Sequence, residues 1–343
     1  MSTTTADSTT AARGTDWGRL VRRHGWTVGL AVLLLVMCVY WRSATIRPWG
    51  SFDVQSLCID ALPLAFAAMG QAVVIISGGI DLSIGSLMGL VNVLAAKYMV
   101  TDLTTVTPRS FQHALVISVL LIGFGFLAGA LTGLIIQVTK VADIIVTLAM
   151  LFVWAGAALA VLQVPGGGAP LEFSSLVTTD TVFTKWVPKP LVILLLAYAL
   201  IWLTIRWRRP GLALYAIGSN RPRAYLSGIN VPLTRVMSYA LSGTFAALGG
   251  LALTAAVSTG DPHAGDIYTL NSVAAVVLGG VSLLGGVGGL IGPIMGAFVL
   301  TLVKTILVIK GVDQNWAQVI QGTIIVLVVM AGGLAIRQKG KGG

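Results

Sequence analysis

Charge is what this sequence has least of. Lysine, arginine, aspartate and glutamate together make up 10% of its 343 residues, and only 12 are acids. A soluble chain carries about a quarter charged residues to cover its surface, so a water-soluble globular protein is excluded. Cysteine is nearly absent. Cys38 and Cys58 form no CxxC pair, which excludes a zinc ribbon and a disulfide scaffold and leaves a single bridge or two free thiols. The three histidines, His24, His113 and His263, lack metal-ligand spacing. No G-x-x-x-x-G-K-[ST] phosphate loop, H-E-x-x-H or G-x-S-x-G occurs. The chain therefore reads as no enzyme, with no catalytic residue, metal or cofactor of its own. The formal charge of +10 does not point to nucleic acid, because basic and aromatic residues are not interleaved as in single-strand binders.

What is present is apolar. Hydrophobic residues reach 56% and mean hydropathy is +0.91. The apolar residues fall into ten runs long enough to approach or exceed the hydrocarbon thickness: Trp26–Trp41, Ala61–Ser77, Ile84–Met99, Ala114–Gln137, Val141–Leu162, Pro190–Arg206, Val236–Ala256, Ser272–Leu284, Gly289–Val308 and Trp316–Ile336. The pattern predicts an all-α polytopic membrane protein of about ten transmembrane helices. Residues 1–25 are expected to be a disordered cytoplasmic tail, residues 26–336 one membrane domain, and residues 337–343 a second cytoplasmic tail. The apolar run after Arg22 and Arg23 lacks a convincing small-residue cleavage site, so it reads as an uncleaved first span.

The basic residues orient the chain. Arg13, Arg19, Arg22 and Arg23 precede the first span. Arg206, Arg208, Arg209, Arg221, Arg223 and Arg235 follow the sixth with no acid among them, and Arg337, Lys339 and Lys341 end the chain. Asp53, Asp102, Glu172, Asp180, Asp261, Asp266 and Asp313 fall in the alternate connections. By the positive-inside rule both termini are cytoplasmic. The outer connections Arg42–Asp60, Gln163–Lys189 and Val257–Asn271 are too short to fold as domains. Glycines such as Gly123, Gly125, Gly129, Gly133, Gly243, Gly249 and Gly250 read as helix-packing positions.

Two stretches echo each other. Val73–Gly85 is VVIISGGIDLSIG and Ala274–Gly286 is AAVVLGGVSLLGG. Superposing the glycine pairs sets Gly78 and Gly79 on Gly279 and Gly280, and Gly85 on Gly286. Each is an apolar run broken by glycines and restarted at a polar residue, Ser83 or Ser282. Breaks at corresponding places in two halves of a transporter point to a solute path; the alternative is two tight cytoplasmic turns between hairpin helices. Asp81 is the one carboxylate read as embedded between apolar segments. It or Ser83 caps the helix starting at Ile84, or it touches solute or gates its passage. Lys304 is read as snorkelling to the outer interface. Trp154 suits core packing or stacking on a sugar ring.

The stretch after span six, residues 207–235, contains a short punctuated helix. Ser219 or Asn220 supplies the N-cap, Pro222 sits in the first turn, and Gly228 provides the stop. Between them lie Arg221, Arg223, Ala224, Tyr225, Leu226 and Ser227, with Ala224, Tyr225 and Leu226 expected to face a partner. The arginines alone would signify orientation; a capped, partly apolar helix suits docking into a groove. That helix argues against an ion-coupled secondary carrier and against a passive channel, neither of which requires a docking element there.

Three segments resemble one family. SGGIDLSIGSLMGL (Ser77–Leu90), LYAIGSN with LSGINV (Leu214–Asn220, Leu226–Val231) and VAAVVLGGVSLLGGVGGLIGPIMGA (Val273–Ala297) are similar to the membrane permease subunit of bacterial ATP-binding-cassette importers of the ribose, arabinose, xylose and galactose type. The resemblance implies an inner-membrane permease paired with a second copy or a similar permease. It also implies a cytoplasmic ATPase that binds the ATP and magnesium, and a periplasmic or lipid-anchored solute-binding protein outside. Residues Asn220–Gly228 would be the coupling element. Gly78, Gly79, Asp81, Ser83, Gly85, Gly279, Gly280 and Ser282 would flank the path of a monosaccharide or polyol. Asp143 and Ile144 stand where the family usually has proline and phenylalanine, and Ala149 replaces a common glycine.

Overall fold

In a computed structural model, which describes residues 17–44, 50–103, 105–178, 186–313, 315–324, 326 and 330, the chain is almost wholly helical. In chain order the elements are α1 (Trp17–Ala44), α2 (Ser51–Ile76), α3 (Ile84–Tyr98), β1 (Val100–Asp102), β2 (Thr107–Pro108), α4 (Phe111–Thr139), α5 (Asp143–Val161), α6 (Leu171–Thr178), α7 (Lys189–Ala197), a π-helical turn (Tyr198–Leu203), α8 (Thr204–Arg206), α9 (Arg209–Ser219), α10 (Arg221–Leu226), α11 (Val231–Val257), α12 (Asp266–Leu278) and α13 (Ile291–Ile309). Residues 315–324 are helical as well. Residues 1–16 of the expected N-terminal tail, Asp180, the last residues of the tenth run and the tail 337–343 lie outside the described residues.

Seven described helices are long and apolar enough to cross a membrane, and α3 and α12 are shorter apolar helices. The short β1–β2 hairpin pairs Val100 with Pro108 between α3 and α4. Two of the expected connections are shorter than the sequence suggested. α2 begins at Ser51, where the Asp53 carboxylate accepts the Gly50 N–H at 2.8 Å, so most of the expected outer connection Arg42–Asp60 is helix. α12 begins at Asp266 and ends at Leu278, six residues ahead of the expected run. In both cases polar residues of the first turns dilute the apolar signal. Cys38 and Cys58 are free thiols.

α2 and α11 form the centre. From Ala61 to Ile76 every α2 residue is buried, and α11 is buried along most of its length. α4 lies outside them and shows the opposite pattern: Leu115, Val116, Val119, Leu120 and Leu127 are exposed. In water such a face would be an aggregation surface; in hydrocarbon it is the solvent-matched side.

Between α4 and α11 lipid supplies no hydrophobic drive, so contact depends on close backbone approach. A Cβ at Gly129 would collide with the Tyr239 carbonyl, and one at Gly125 with the Gly243 carbonyl. Gly133 lies against Val236 in the same row. Gly123, on the exposed side, has open space around it and packs nothing, contrary to the expectation that all these glycines seat helices. The expected outcome of Gly129→Ala is a loss of about 1–3 kcal/mol from overpacking, seen as a lower melting temperature in detergent. Gly123→Ala should gain about 1 kcal/mol of helix propensity.

Candidate functional site

The two echoing stretches build the same helix stop. α2 ends with Gly78 in the left-handed region at φ +79°, where Gly78 N–H donates to Ile75 (2.9 Å) and Gly79 N–H to Val74 (3.0 Å). α12 ends with Gly280 at φ +77°, where Gly280 N–H donates to Val277 (2.9 Å) and Val281 N–H to Val276 (3.2 Å). This pattern requires a glycine one residue past the cap. The structural match is therefore Gly78 with Gly280, one residue off the alignment of glycine pairs, and Gly279 takes the place of Ser77. The restarts also differ. α3 resumes at Ile84 after Ser83, whereas Ser282 starts no helix. Ser282 closes a loop through its N–H to Val287 (3.1 Å), and α13 begins only at Ile291.

The two turns meet. The Gly286 N–H donates to the Ile76 carbonyl, the last of α2, at 2.9 Å. Gly218 of α9 lies between them, where a side chain would strike Ile76 and Gly286. Tyr215 of α9 donates its hydroxyl to the Gly288 carbonyl at 2.9 Å, and Arg221 of α10 donates to the Gly78 carbonyl at 2.7 Å. The Trp26 indole donates to Leu278 at 2.8 Å, and its ring leaves no room for a side chain on Gly280. These bonds satisfy carbonyls and amides that a broken helix would otherwise leave bare.

α11 supplies the polar wall. Arg235, Ser238, Tyr239 and Ser242 recur at one helical face and point at the first turn. Ser77 donates to Ser238 (3.1 Å), Tyr239 to the Ile80 carbonyl (3.4 Å) and Ser242 to Asp81 (2.8 Å). Asp81, 4% exposed, accepts the Ser83 hydroxyl (2.6 Å) and backbone N–H (3.0 Å) as well. It binds the amide of the cap residue itself and clamps the turn to α11. Arg235, itself buried, forms an ion pair with the half-buried Asp143 of α5, and a side chain on Gly79 would meet Asp143 and Tyr239 within 2.7 Å. Arg235 thus serves this pair, although the sequence reading counted it only as an orienting charge. Burial, then the charge of Arg235, draws the Arg221 guanidinium below its ordinary pKa, and Asp143 opposes the shift.

α10 has the expected punctuation. The Asn220 side chain accepts the Arg223 N–H at 3.0 Å, Pro222 sits in the first turn, and Gly228 turns the chain at φ +78°. Tyr225 (71%) and Leu226 (83%) are exposed; Ala224 is buried at 4% and cannot face a partner. Gly85 stands apart from the junction, packed on Gly265 and Thr269. Trp154 packs edge-on against Phe124 at 6.2 Å, as core. Asp143 stood out in the sequence only as a departure from the family pattern, and Ser238, Tyr239 and Ser242 were missed. The signal was the i, i+3, i+4, i+7 polar recurrence in an otherwise apolar helix, together with an acid opening α5.

Among the described residues no cluster of potential metal ligands occurs. A bundle of apolar spans around two hydrogen-bonded polar turns defines a polytopic membrane transport subunit. The chain belongs to the family of branched-chain amino acid transport system permease components, whose model matches residues 54–329. It is 32% identical over 274 residues to the ribose import permease protein RbsC of Escherichia coli (strain K12), covering 78% of this chain and 81% of that protein. It is 31% identical over 324 residues to the galactose/methyl galactoside import permease protein MglC of the same strain (91% and 95%). It is 26% identical over 327 residues to the autoinducer 2 import system permease protein LsrD of Escherichia coli O9:H4 (strain HS) (92% and 94%). No solved structure matches. The protein is a multi-pass inner-membrane permease of a bacterial ATP-binding-cassette importer, a non-catalytic subunit without its own cofactor, whose ATPase is a separate chain and which works with a binding protein.

Asp81→Asn keeps an acceptor for Ser83 and gives Ser242 a donor, so near wild-type stability and transport are expected. Asp81→Ala leaves the buried Ser83 and Ser242 hydroxyls without that acceptor and should cost about 1–3 kcal/mol, read as a melting shift in detergent. Asp143→Asn strands Arg235 beside Arg221; a loss of about 3–5 kcal/mol is expected, partly recovered by Arg235→Gln in the double variant.

Proposed function

We propose that this subunit forms the path for a monosaccharide or related polyol, with about ten crossings, both termini cytoplasmic, and a second copy or a similar permease beside it. The distribution of charge supports the orientation. Arg206, Arg208, Arg209, Arg221 and Arg223 lie at the end of the bundle that carries the glycine turns, whereas Asp102, Glu172, Asp261 and Asp266 belong to connections at the other end. The solute class is supported by relatives whose names specify ribose and galactose import.

The observation that carries the reading is the seat of α10. Its first residue bonds the turn at Gly78, and the helix before it packs against both turns. A cytoplasmic ATPase gripping Tyr225 and Leu226 would thereby act on both glycine turns at once, and neither turn could shift without the other. In this reading Gly78, Gly79, Asp81 and Gly280 belong to the moving floor of the path, held by hydrogen bonds, and Asn220–Gly228 is the coupling element.

The test is ATP hydrolysis by the reconstituted complex. Tyr225→Asp with Leu226→Asp should leave the permease folded but weaken docking by about 2 kcal/mol per anchor, roughly 30-fold, and abolish solute-stimulated hydrolysis. Unchanged stimulation in a folded double variant would place the docking element elsewhere.

A further inference from the structure

Far from the glycine turns, a cavity of about 480 Å³ opens between α2, the last turns of α11, the first turns of α12, α13 and the helix containing residues 315–324. Its volume is that of a small-molecule site. Polar side chains on its wall include Asp60, Tyr268, Asn271, Lys304, Gln318 and Gln321, with Thr301 and Thr305 beside them. Asp60 and Lys304 both line it and are exposed, yet no hydrogen bond or ion pair joins them among the described residues. Gln321 on the cavity wall is only 7% exposed.

We propose that this cavity is a solute-binding station within one permease, selective for a neutral, hydroxyl-rich molecule such as a monosaccharide. A carboxylate and an ammonium inside an apolar bundle are costly, and a residue pair kept only for structure would close on itself. Held apart, the two present an acceptor and a donor on facing helices, with amides and a phenol between. A polyol, whose every hydroxyl both donates and accepts, satisfies all of them. Asp60 repels a phosphate or lipid headgroup, and Lys304 repels a cation. Lys304 is thus a site residue and not merely an interfacial anchor. The inference rests on the proposed orientation, which puts the cavity on the side where solute arrives.

The experiment uses the permease reconstituted with its ATPase, with Cys38 and Cys58 replaced by serine and Thr305→Cys as a reporter on the cavity wall. The rate of labelling by a membrane-impermeant thiol reagent is measured with D-ribose, D-galactose, inorganic phosphate and phosphatidylglycerol vesicles. One of the sugars should slow labelling about tenfold at ten times its Kd, and phosphate and lipid should not. Asp60→Asn or Lys304→Met should remove the protection while the reporter thiol still labels, which also reports a folded site. A reporter that never labels, or labelling unaffected by either sugar, overturns the station; protection by phosphate or phosphatidylglycerol overturns it in favour of an anion or lipid site. ATP-driven uptake in the same vesicles is scored separately. Its presence without sugar protection sinks only this inference, and its absence in the unmodified complex sinks the proposed function.

Discussion

One hydrogen bond organises the molecule: the Gly286 N–H on the last carbonyl of α2. A helix that stops inside a membrane bundle exposes backbone groups that hydrocarbon cannot satisfy. Here two helices stop; the loop after α12 supplies a donor to the end of α2, and the Trp26 indole supplies one to the end of α12. The contact requires a residue without a side chain at Gly218, and this fixes α9 between the turns. The position of α10 follows, since it continues directly from α9 and its Arg221 reaches the Gly78 carbonyl. α9, α10 and the two broken helices are therefore one hydrogen-bonded unit.

The second constraint is electrostatic. The Asp143–Arg235 pair closes the side of the first turn facing α5, and Tyr239 and Thr147 converge on the Ile80 carbonyl there. A pair of this kind contributes little net stability but penalises any arrangement that separates it. It acts as a register pin: α5, α11 and the turn share one geometry or none. Asp143, one of the departures from the resembled family, is the residue that makes the pin.

Much of this was legible in the sequence. Apolar runs marked the long helices, and missed α6 and α9, because membrane spans must be long and continuous in hydropathy. The α10 helix was legible from Asn220, Pro222 and Gly228, since capping is local chemistry. The start of α2 was obscured by Asp53, Gln55 and Asp60, which lower hydropathy without stopping a helix. The one-residue shift between the repeats was hidden because a glycine pair does not reveal which member takes the positive φ. The contact between the repeats, the Asp143–Arg235 pair and the placing of Lys304 and Asp60 on one cavity depend on tertiary placement, for which spacing carries no information.

The central claim is that α10 and the two glycine turns move as a unit. The most direct test is the distance between spin labels at Arg223 and Leu284, both exposed, measured in the complex with ATP bound and after hydrolysis. A distance that stays constant while labels across the bundle move agrees with the account. A distance that changes between the two nucleotide states, beyond the spread of the labels themselves, contradicts it.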